Sequence, residues 1–307
     1  MGKKYLNPGN MKPEIVITDN IVYSVQKDLE GNSLELKMSI MQQKEGFELK
    51  LAAGIEASSE TEIRPALLWI PGGGWRGIDK NSMLAEMVQF ARAGYIVASM
   101  YYRSSAQGHW PDQIIDVKTA IRFLRAHAAE YNINPERIGV FGRSAGGHLS
   151  SFAAMNEDIY TDGEWAGYSS KVSCCCDMFG PVDLVAGMEL EEKKFSDPKF
   201  RWHKFSDTHG GALLGGGEMT MKERAAEASP VNHINPDMCP ILILHGTDDP
   251  LVPAEVSSDI FYRKMEEADL EDKIEYYVLT GGGHGSREYW QDSIKEIMIE
   301  FFDKYLK

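Results

Sequence analysis

A serine flanked by glycines stands between an apolar run and a segment typical of a helix. Ser144 lies within residues 142–147, directly after the run 137–141. A tight strand-to-helix turn of this kind favours glycines, because they tolerate close backbone contacts and unusual dihedral angles. A serine hydroxyl is a weak nucleophile that needs a base, an acid that orients the base, and donors for an oxyanion. The pattern predicts a nucleophile elbow; the alternative is an ordinary turn, since the chain has 29 glycines.

Two loops later in the chain carry the other residue types that such a serine requires. The run 241–244 is followed by Asp248 and Asp249, and the run 276–279 is followed by glycines around His284. In a parallel sheet, catalytic groups lie where the carboxyl ends of the strands open onto loops. The chain order Ser, Asp, His is that of the α/β-hydrolase arrangement. The two loops therefore carry the acid and the base that a nucleophilic Ser144 requires.

His284 is the expected general base, because the glycines around it allow it to project from a loop toward Ser144. His148 is the chief rival, since it lies four residues after the serine on the same helix face. Helical geometry directs its side chain along the helix rather than at the hydroxyl. His245 directly follows a strand and is expected to be packed and hydrogen-bonded rather than catalytic.

The acid that orients His284 is expected to be Asp249, which would hold the imidazole tautomer and stabilise the imidazolium. Pro250 stiffens the loop that carries it. Spacing alone does not exclude the adjacent Asp248, and a simple acidic turn is a further alternative.

Backbone amides are the expected donors to the oxyanion. One belongs to Ala145, and others belong to the glycine-rich loop 71–77 after the apolar run 66–70. Residues 72–77 also satisfy G-x-G-x-x-G, so a dinucleotide site is an alternative. Against it, the loop follows the third strand-like run, and the next strand ends at 99–103 without an acidic residue. No cofactor or metal ion is expected, since the chain has neither a Walker A nor a His-Glu-x-x-His motif.

These residues need a parallel sheet to position them, and the apolar pattern predicts one. Segments 14–25 and 33–41 read as strands joined by hairpin chemistry at 30–32, which predicts an antiparallel N-terminal edge. From residue 66 onward strands and helices alternate, as in a mostly parallel sheet with helices on both faces. Further strands are predicted at 66–70, 95–100, around Ile138, 172–178, 241–244 and 273–279. Helices are predicted at 82–93, 112–131, from Ser144 onward, 254–268 and 286–305.

The segment 184–222 interrupts this alternation. It is charged and aromatic, with Trp202, Phe205 and a cluster of glycines. We interpret it as a cap-like excursion over the carboxyl edge of the sheet, within a single domain of 307 residues, because it is short for an independent core. A disordered surface loop is the alternative.

The composition is that of one large α/β domain. The chain has 307 residues, of which 43% are hydrophobic, enough for a sizeable core. Its net charge of −14 comes without a basic stripe, so neither nucleic acid nor anionic membrane is an expected partner. The four cysteines have neither disulfide nor zinc spacing and are expected to be reduced and buried. No segment resembles a signal peptide or a transmembrane helix, so a cytoplasmic location is expected.

The residues described above resemble those of the α/β-hydrolase superfamily, and within it the esterases of the hormone-sensitive-lipase and BD-FAE-like groups. The similarity extends from about residue 66 to the C-terminus and implies the α/β-hydrolase fold. It rests on 71–80, Tyr102 and Arg103, Pro111 and Asp112 with Asp116, 142–149, 228–230, 245–253 and 283–285. The roles it implies are Ser144 as nucleophile, Asp249 as acid, His284 as base, and Gly73, Gly74 and Ala145 as oxyanion donors.

Two positions depart from this family pattern. Pro71 stands where the family usually has a histidine that helps to orient the oxyanion loop, although the glycine amides are retained. Arg143 stands beside the nucleophile where the family usually has glutamate. We expect either an ion pair beneath the elbow or a preference for electron-rich substrates.

The expected reaction is transfer of an acyl group to water through an acyl-serine intermediate. The resemblance implies a carboxylesterase acting on short-chain, acetyl-type or hydroxycinnamoyl esters, with plant carbohydrate as one substrate class. Trp75, Trp110 and the segment 184–222 are candidates to line the pocket, although each alone is typical of packing. A peptidase or arylformamidase with the same triad, an acyltransferase and a non-catalytic binding protein are the alternatives. The expected partner is a small-molecule or oligosaccharide ester, and the sequence indicates no oligomeric state.

Overall fold

A computed structural model describes residues 3–7, 12–44 and 62–307, and within these ranges eight strands form one sheet. The strands are β1 (Glu14–Lys27), β2 (Ser33–Lys44), β3 (Arg64–Ile70), β4 (Ile96–Met100), β5 (Ile133–Arg143), β6 (Cys174–Met178), β7 (Ile241–Gly246) and β8 (Ile274–Leu279). Their order across the sheet is β1-β2-β4-β3-β5-β6-β7-β8. β2 runs antiparallel to β1 and β4, and the remaining neighbours are parallel. The predicted sheet with an antiparallel N-terminal edge is confirmed.

Helices cover both faces of the sheet. Those in the described ranges are α1 (Leu84–Arg92), α2 (Asp112–Ala126), α3 (Ala128–Tyr131), α4 (Ala145–Ala154), α5 (Leu184–Glu192), α6 (His209–Leu214), α7 (Met221–Glu227), α8 (Ser258–Glu267) and α9 (Asp292–Leu306). Short 3-10 turns occupy Phe205–Asp207, Pro230–Asn232, Ala254–Val256, Glu271–Lys273 and Arg287–Trp290. Buried side chains of α1 and α9 share one apolar cluster, whereas those of α2, α4 and α8 belong to the other.

The central strand β3 shows how the sheet divides these two clusters. Leu67 and Trp69 lie in the cluster with α1 and α9, while Leu68 and Ile70 lie in the cluster with α2, α4 and α8. Successive side chains of a strand point to opposite faces, so a continuous apolar run supplies both cores. The five residues from Ala66 to Ile70 are all fully buried.

Some helix boundaries differ from the predicted ones. In one case a side chain binds a backbone carbonyl oxygen, and in two others the helix begins with a 3-10 turn. The predicted helix 112–131 is divided at His127, whose ring bonds to the carbonyl oxygen of Phe123 at 3.0 Å and stacks on its ring. The predicted helices 254–268 and 286–305 each begin with a 3-10 turn, so their regular parts start at Ser258 and Asp292. Helix ends commonly tighten in this way.

The segment 184–222 contains α5, a 3-10 turn and α6. Side chains cap these helices locally: Asp183 accepts from the Ala186 amide, and Thr208 accepts from the Gly211 amide. Its role as a cap stays a prediction. The four cysteines are buried and unpaired, as expected. Among the helices of the described ranges, none combines the length and the apolar character needed to cross a bilayer.

Candidate active site

The elbow is a sharp turn between β5 and α4. β5 ends at Arg143 and α4 begins at Ala145, so Ser144 occupies the single residue between them. Its backbone has φ 52° and ψ −122°, which is costly for a residue with a side chain. The Ser144 amide donates to the carbonyl oxygen of Met178 at 2.9 Å, on the neighbouring strand β6. The surrounding structure thereby holds a conformation that the chain would otherwise avoid.

Glycines make this turn possible because backbone approaches backbone. A Cβ on Gly146 would lie 1.9 Å from the carbonyl oxygen of Ile70, at the end of β3. A Cβ on Gly142 would lie 2.4 Å from the carbonyl oxygen of Gly146. The first turn of α4 therefore packs directly on the strand that leads into the glycine-rich loop.

The structure brings His284 to the serine hydroxyl. Its Nε2 lies 2.9 Å from Ser144 Oγ. The imidazole packs edge-on against the ring of Phe179, with 4.8 Å between centroids. The loop behind it is held by Ser286, whose hydroxyl accepts from the Gly283 amide at 3.0 Å. The ring therefore has a defined position although it comes from a loop.

Asp249, rather than Asp248, meets the histidine. Asp249 Oδ2 lies 2.7 Å from His284 Nδ1, and Oδ1 accepts from the amides of Leu251 and Val252 at 2.9 Å each. Burial raises the pKa of the Asp249 carboxyl, but hydrogen bonds from histidines and the backbone outweigh that effect, so its pKa is lowered. Asp248 is exposed and accepts from the Thr247 hydroxyl. Asp249 is thus the carboxylate placed to orient the imidazole.

The two other histidines near these loops are held elsewhere. His148 is buried, its Nε2 donates to the carbonyl oxygen of Ala228 at 2.7 Å, and burial lowers its pKa to about 4. His245 is also buried: its Nε2 donates to the Val252 carbonyl at 2.7 Å and its Nδ1 accepts from the Ser258 hydroxyl at 2.6 Å. Nε2 of His245 lies 3.6 Å from Asp249 Oδ2. His245 therefore supports the acid loop instead of meeting the serine.

The glycine-rich loop lines the same cavity as Ser144 and His284. The carbonyl of Gly73 accepts from the amides of Arg76 and Gly77, which closes a tight turn. Gly73 and Gly74 have φ of 129° and 59° and line the cavity at Ser144. Within the described ranges their own amides donate to no acceptor.

The other predicted donor and the two departures from the family pattern lie close by. Ala145 opens α4, where the first amides of a helix lack partners within the helix. Pro71 keeps a fixed position without a histidine, because the buried Tyr102 hydroxyl donates to its carbonyl oxygen at 2.9 Å. The ion pair suggested for Arg143 is not formed with any residue of the described ranges. Arg143 instead lines the cavity.

A cavity of about 660 Å³ opens over these groups. Trp75 lines it, with its ring edge-on to His148. Trp110 was a second candidate for the pocket, but it packs in the core against His148, Phe152 and Tyr160. The pocket assignment of Trp110 is therefore corrected to packing, since its indole is surrounded by aromatic side chains of the interior.

Sequence reasoning placed the segment 184–222 at the pocket, but it identified neither the contacts of that segment's side chains nor the contribution of Phe179. Phe179 follows β6 and contacts His284, and its place after a predicted strand was the available signal. His209, at the start of α6, lies so close to Gly74 that a Cβ there would be 2.9 Å from its Nδ1. Nδ1 of His209 is buried without a hydrogen-bond partner. Nothing in the local sequence pattern indicates that contact.

Comparisons with known proteins find similarity to esterases. A family model described as BD-FAE matches residues 55–265. The probable carboxylic ester hydrolase LipM of Mycobacterium tuberculosis is 31% identical over 207 residues, which cover 64% of this chain and 43% of LipM. Esterase LipC of the same organism is 29% identical over 73% of this chain and 54% of LipC. The chain spans about half the length of the curated relatives it matches.

Solved structures resemble the whole chain. A truncated form of a carbohydrate esterase from gut microbiota has a TM-score of 0.74 and 26% identity, and the match covers 97% of this chain and 98% of that chain. A thermophilic esterase from Thermogutta terrifontis, with butyrate bound, has a TM-score of 0.65 at 24% identity and covers 96% of this chain and 93% of that one. The second likeness is one of fold alone.

Proposed function

The chain belongs to the BD-FAE family and has the α/β-hydrolase fold, and from this premise we propose that it is a serine carboxylesterase. The observation that carries the proposal is an unbroken series of contacts. Asp249 Oδ2 meets His284 Nδ1 at 2.7 Å, and His284 Nε2 meets Ser144 Oγ at 2.9 Å. Each distance is short enough for a hydrogen bond through which a proton is held or moved.

In the proposed first half-reaction, Ser144 Oγ attacks the ester carbonyl while its proton passes to His284 Nε2. The carbonyl oxygen becomes an oxyanion, for which the amides of Gly73, Gly74 and Ala145 are the proposed donors. Collapse of the tetrahedral intermediate breaks the bond to the alcohol oxygen. That oxygen takes the proton from His284, so the alcohol leaves and the acyl group stays on the serine.

In the second half-reaction, water replaces the alcohol. His284 Nε2 accepts a proton from water as the water oxygen attacks the acyl carbon. The intermediate then releases Ser144 Oγ, which recovers its proton from the imidazolium, and the product is a carboxylic acid. Throughout, Asp249 remains ionised and stabilises the charged ring, because its lowered pKa keeps it deprotonated.

We propose short-chain, acetyl-type or hydroxycinnamoyl esters as substrates, with ester-bearing carbohydrate as one class. The cavity of about 660 Å³ has room for a small acyl group together with part of a larger alcohol. The likeness to a carbohydrate esterase over nearly the whole chain supports the carbohydrate class. The segment 184–222 is proposed to act as a cap, since Trp202, Phe205 and His209 from it line the cavity.

Replacing the nucleophile tests the proposal. The Ser144→Ala protein should hydrolyse no ester and should not be labelled by a fluorophosphonate probe, with its circular dichroism spectrum unchanged. Ser150→Ala is a matched control, because Ser150 lies in α4 and donates to the Gly146 carbonyl away from His284. Labelling that persists in Ser144→Ala would overturn the assignment.

A substrate panel separates the proposed reaction from its alternatives. p-Nitrophenyl acetate, aminoacyl anilides and N-formylkynurenine should be compared on the wild-type protein. Turnover of the ester alone supports the carboxylesterase, and preferred turnover of either amide indicates a peptidase or an arylformamidase. Ester product formed at the expense of acid, when an acceptor alcohol is added, indicates an acyltransferase.

A further inference from the structure

We propose that Arg143 binds a carboxylate carried by the substrate, so that the preferred esters have an anionic group near the reacting carbonyl. This inference rests on the proposed esterase function and names its substrate class. Arg143 directly precedes Ser144 and lines the same cavity.

The Arg143 side chain extends beside the nucleophile. A Cβ on Gly72 would lie 3.3 Å from Arg143 Cγ and 3.3 Å from Ser144 Cβ. The two side chains therefore flank the same point at the start of the glycine-rich loop. A group bound by this arginine would be a neighbour of the carbon that Ser144 attacks.

The Arg143 guanidinium is half-buried and has no charged or hydrogen-bonding partner among the residues that the structure describes. Within the described ranges it forms neither an ion pair nor a side-chain hydrogen bond, unlike Arg103, which binds Asp116 and Asp112. Burial lowers the pKa of Arg143, but a guanidinium remains charged at neutral pH. A partly desolvated cation without a counter-charge is unfavourable unless something supplies the missing charge. A bound carboxylate would supply it.

A second region of positive charge lies near Gly74 of the glycine-rich loop. Burial, and then the charges of Arg76 and Arg201, lower the pKa of His209, whose ring lies against Gly74. Both arginines lack an ion-pair partner in the described part of the chain, and Arg201 lines the cavity. The chain as a whole carries a net charge of −14. The positive charge of this region is thus opposite in sign to the net charge of the chain.

The carboxylates of the cavity wall are already engaged. Asp183 caps α5 by accepting from the Ala186 amide at 2.9 Å. Glu191 is largely desolvated, burial raises the pKa of its carboxyl, and the Thr208 hydroxyl and the charge of Lys194 act on it. Neither group reaches Arg143 as an ion pair. The cavity therefore offers arginine donors without a protein carboxylate to occupy them.

Arginine is suited to this task because its planar fork of N–H donors matches the two oxygens of a carboxylate. An ester with a free carboxyl group on either the acyl or the alcohol part fits the chemistry. The site would discriminate it from the corresponding carboxamide, which has nearly the same shape but no charge. Discrimination of roughly tenfold to a hundredfold is expected from one charge-assisted contact.

Two substrate pairs test the inference and locate the charge. 4-Acetoxybenzoate and 4-acetoxybenzamide differ in charge on the alcohol part, and monomethyl succinate and methyl succinamate differ in charge on the acyl part. We expect the ratio of kcat/KM, anionic over neutral, to fall roughly tenfold or more in Arg143→Met for at least one pair. Arg143→Lys should give an intermediate ratio, because the charge is kept and the fork is lost.

Arg263→Met is the matched control, since Arg263 is exposed on α8 and the substitution changes the net charge equally. Its ratio should equal that of the wild type. Salt provides a second readout: added NaCl should lower the ratio of kcat/KM, anionic over neutral, more in the wild type than in Arg143→Met, because both proteins share the other charges of the chain.

An unchanged ratio in Arg143→Met for both pairs, with turnover of the neutral esters retained, would overturn the inference and leave the esterase proposal standing. Failure of the wild type to hydrolyse any of the four esters, or to be labelled by a fluorophosphonate, would overturn the esterase proposal. The two failures are distinct because only the first depends on substrate charge.

Discussion

Asp249 and His284 are joined by a 2.7 Å contact between Oδ2 and Nδ1, although 35 residues separate them in the chain. The neighbouring Asp248 has the same chemistry and lies one residue nearer to β7, yet its carboxylate turns to the Thr247 hydroxyl. The Leu251 and Val252 amides hold the other oxygen of Asp249. The loop therefore selects one of two adjacent acids.

Exchange of each acid for its amide should separate the two aspartates. In Asp249→Asn, kcat is expected to fall by about ten-thousandfold, because an amide favours the wrong imidazole tautomer, as it does in serine proteases. Asp248→Asn should remain within about twofold of the wild type, since its side chain makes only a surface contact. Steady-state hydrolysis of p-nitrophenyl acetate measures both. A large loss in Asp248→Asn with activity retained in Asp249→Asn would reverse the assignment.

Removal of the Tyr102 hydroxyl should disturb the oxyanion loop without removing a donor. Tyr102 donates to the Pro71 carbonyl at 2.9 Å, and burial raises the pKa of Tyr102, so it remains a neutral donor. We expect Tyr102→Phe to lower kcat roughly threefold to thirtyfold with little change in KM, less than the roughly hundredfold cost of losing an oxyanion donor. Tyr168→Phe, at an exposed tyrosine, is the control. Equal kcat in both variants would show that the loop holds its shape without this bond.

Asp177 lies buried on β6 beneath the elbow. Its Oδ2 accepts from the Ser151 hydroxyl at 2.6 Å, and its Oδ1 accepts from the Gly180 amide at 2.8 Å. Burial raises the pKa of its carboxyl from 3.8 to about 6. Between these two values the unfolded chain ionises while the folded chain stays protonated. Stability from this group is therefore present at low pH and is lost as the pH rises through about 6.

The Asp177→Asn protein should lack this pH dependence. We expect its free energy of unfolding, relative to the wild type, to rise by about 2–3 kcal/mol between pH 4 and pH 7. Ser151→Ala should have the opposite effect and steepen the loss, because the hydroxyl stabilises the ionised form. Urea unfolding at both pH values measures the difference. A difference that does not change with pH would mean that Asp177 ionises as readily in the folded state as in the unfolded one.

The positions of the candidate catalytic residues were predictable because each follows a strand. Ser144 comes after β5, Asp249 after β7 and His284 after β8. Apolar runs mark such strands in the sequence, and the carboxyl ends of parallel strands meet at one edge. The chain order Ser, Asp, His, which is that of the α/β-hydrolase arrangement, then grouped the three residues into one candidate site.

The individual side-chain contacts of the cavity wall were not predictable in the same way. His209 and Arg201 come from a segment whose apolar residues have no clear period, so packing against distant residues decides where it lies. Trp110 and Trp75 looked alike as loop tryptophans, and only the aromatic neighbours of Trp110 place it in the core. Asp249 was the expected acid, but spacing alone did not exclude Asp248, since the choice depends on amides that fold back onto one of them.

Because α4 approaches β3 closely, we expect alanine substitutions at two helical glycines to change stability in opposite directions. Gly146 and Gly187 are both helical glycines, but their surroundings differ. A Cβ on Gly146 would lie 1.9 Å from the Ile70 carbonyl oxygen, whereas a Cβ on Gly187 would meet nothing within 4 Å. Gly187→Ala should therefore stabilise the protein by about 0.5–1 kcal/mol, because alanine favours a helix more than glycine does.

Gly146→Ala should do the reverse, at a cost of roughly 1–3 kcal/mol or more, because neither backbone can yield without moving the end of β3. That movement would displace the start of the oxyanion loop, so the rate of fluorophosphonate labelling at Ser144 should fall together with stability. Guanidinium unfolding and labelling of both variants measure the two effects. Gly146→Ala with stability and labelling equal to the wild type would mean that α4 can move away from β3 and that the elbow is not rigid. If stability alone falls, the clash is confirmed but the link from β3 to the nucleophile is not.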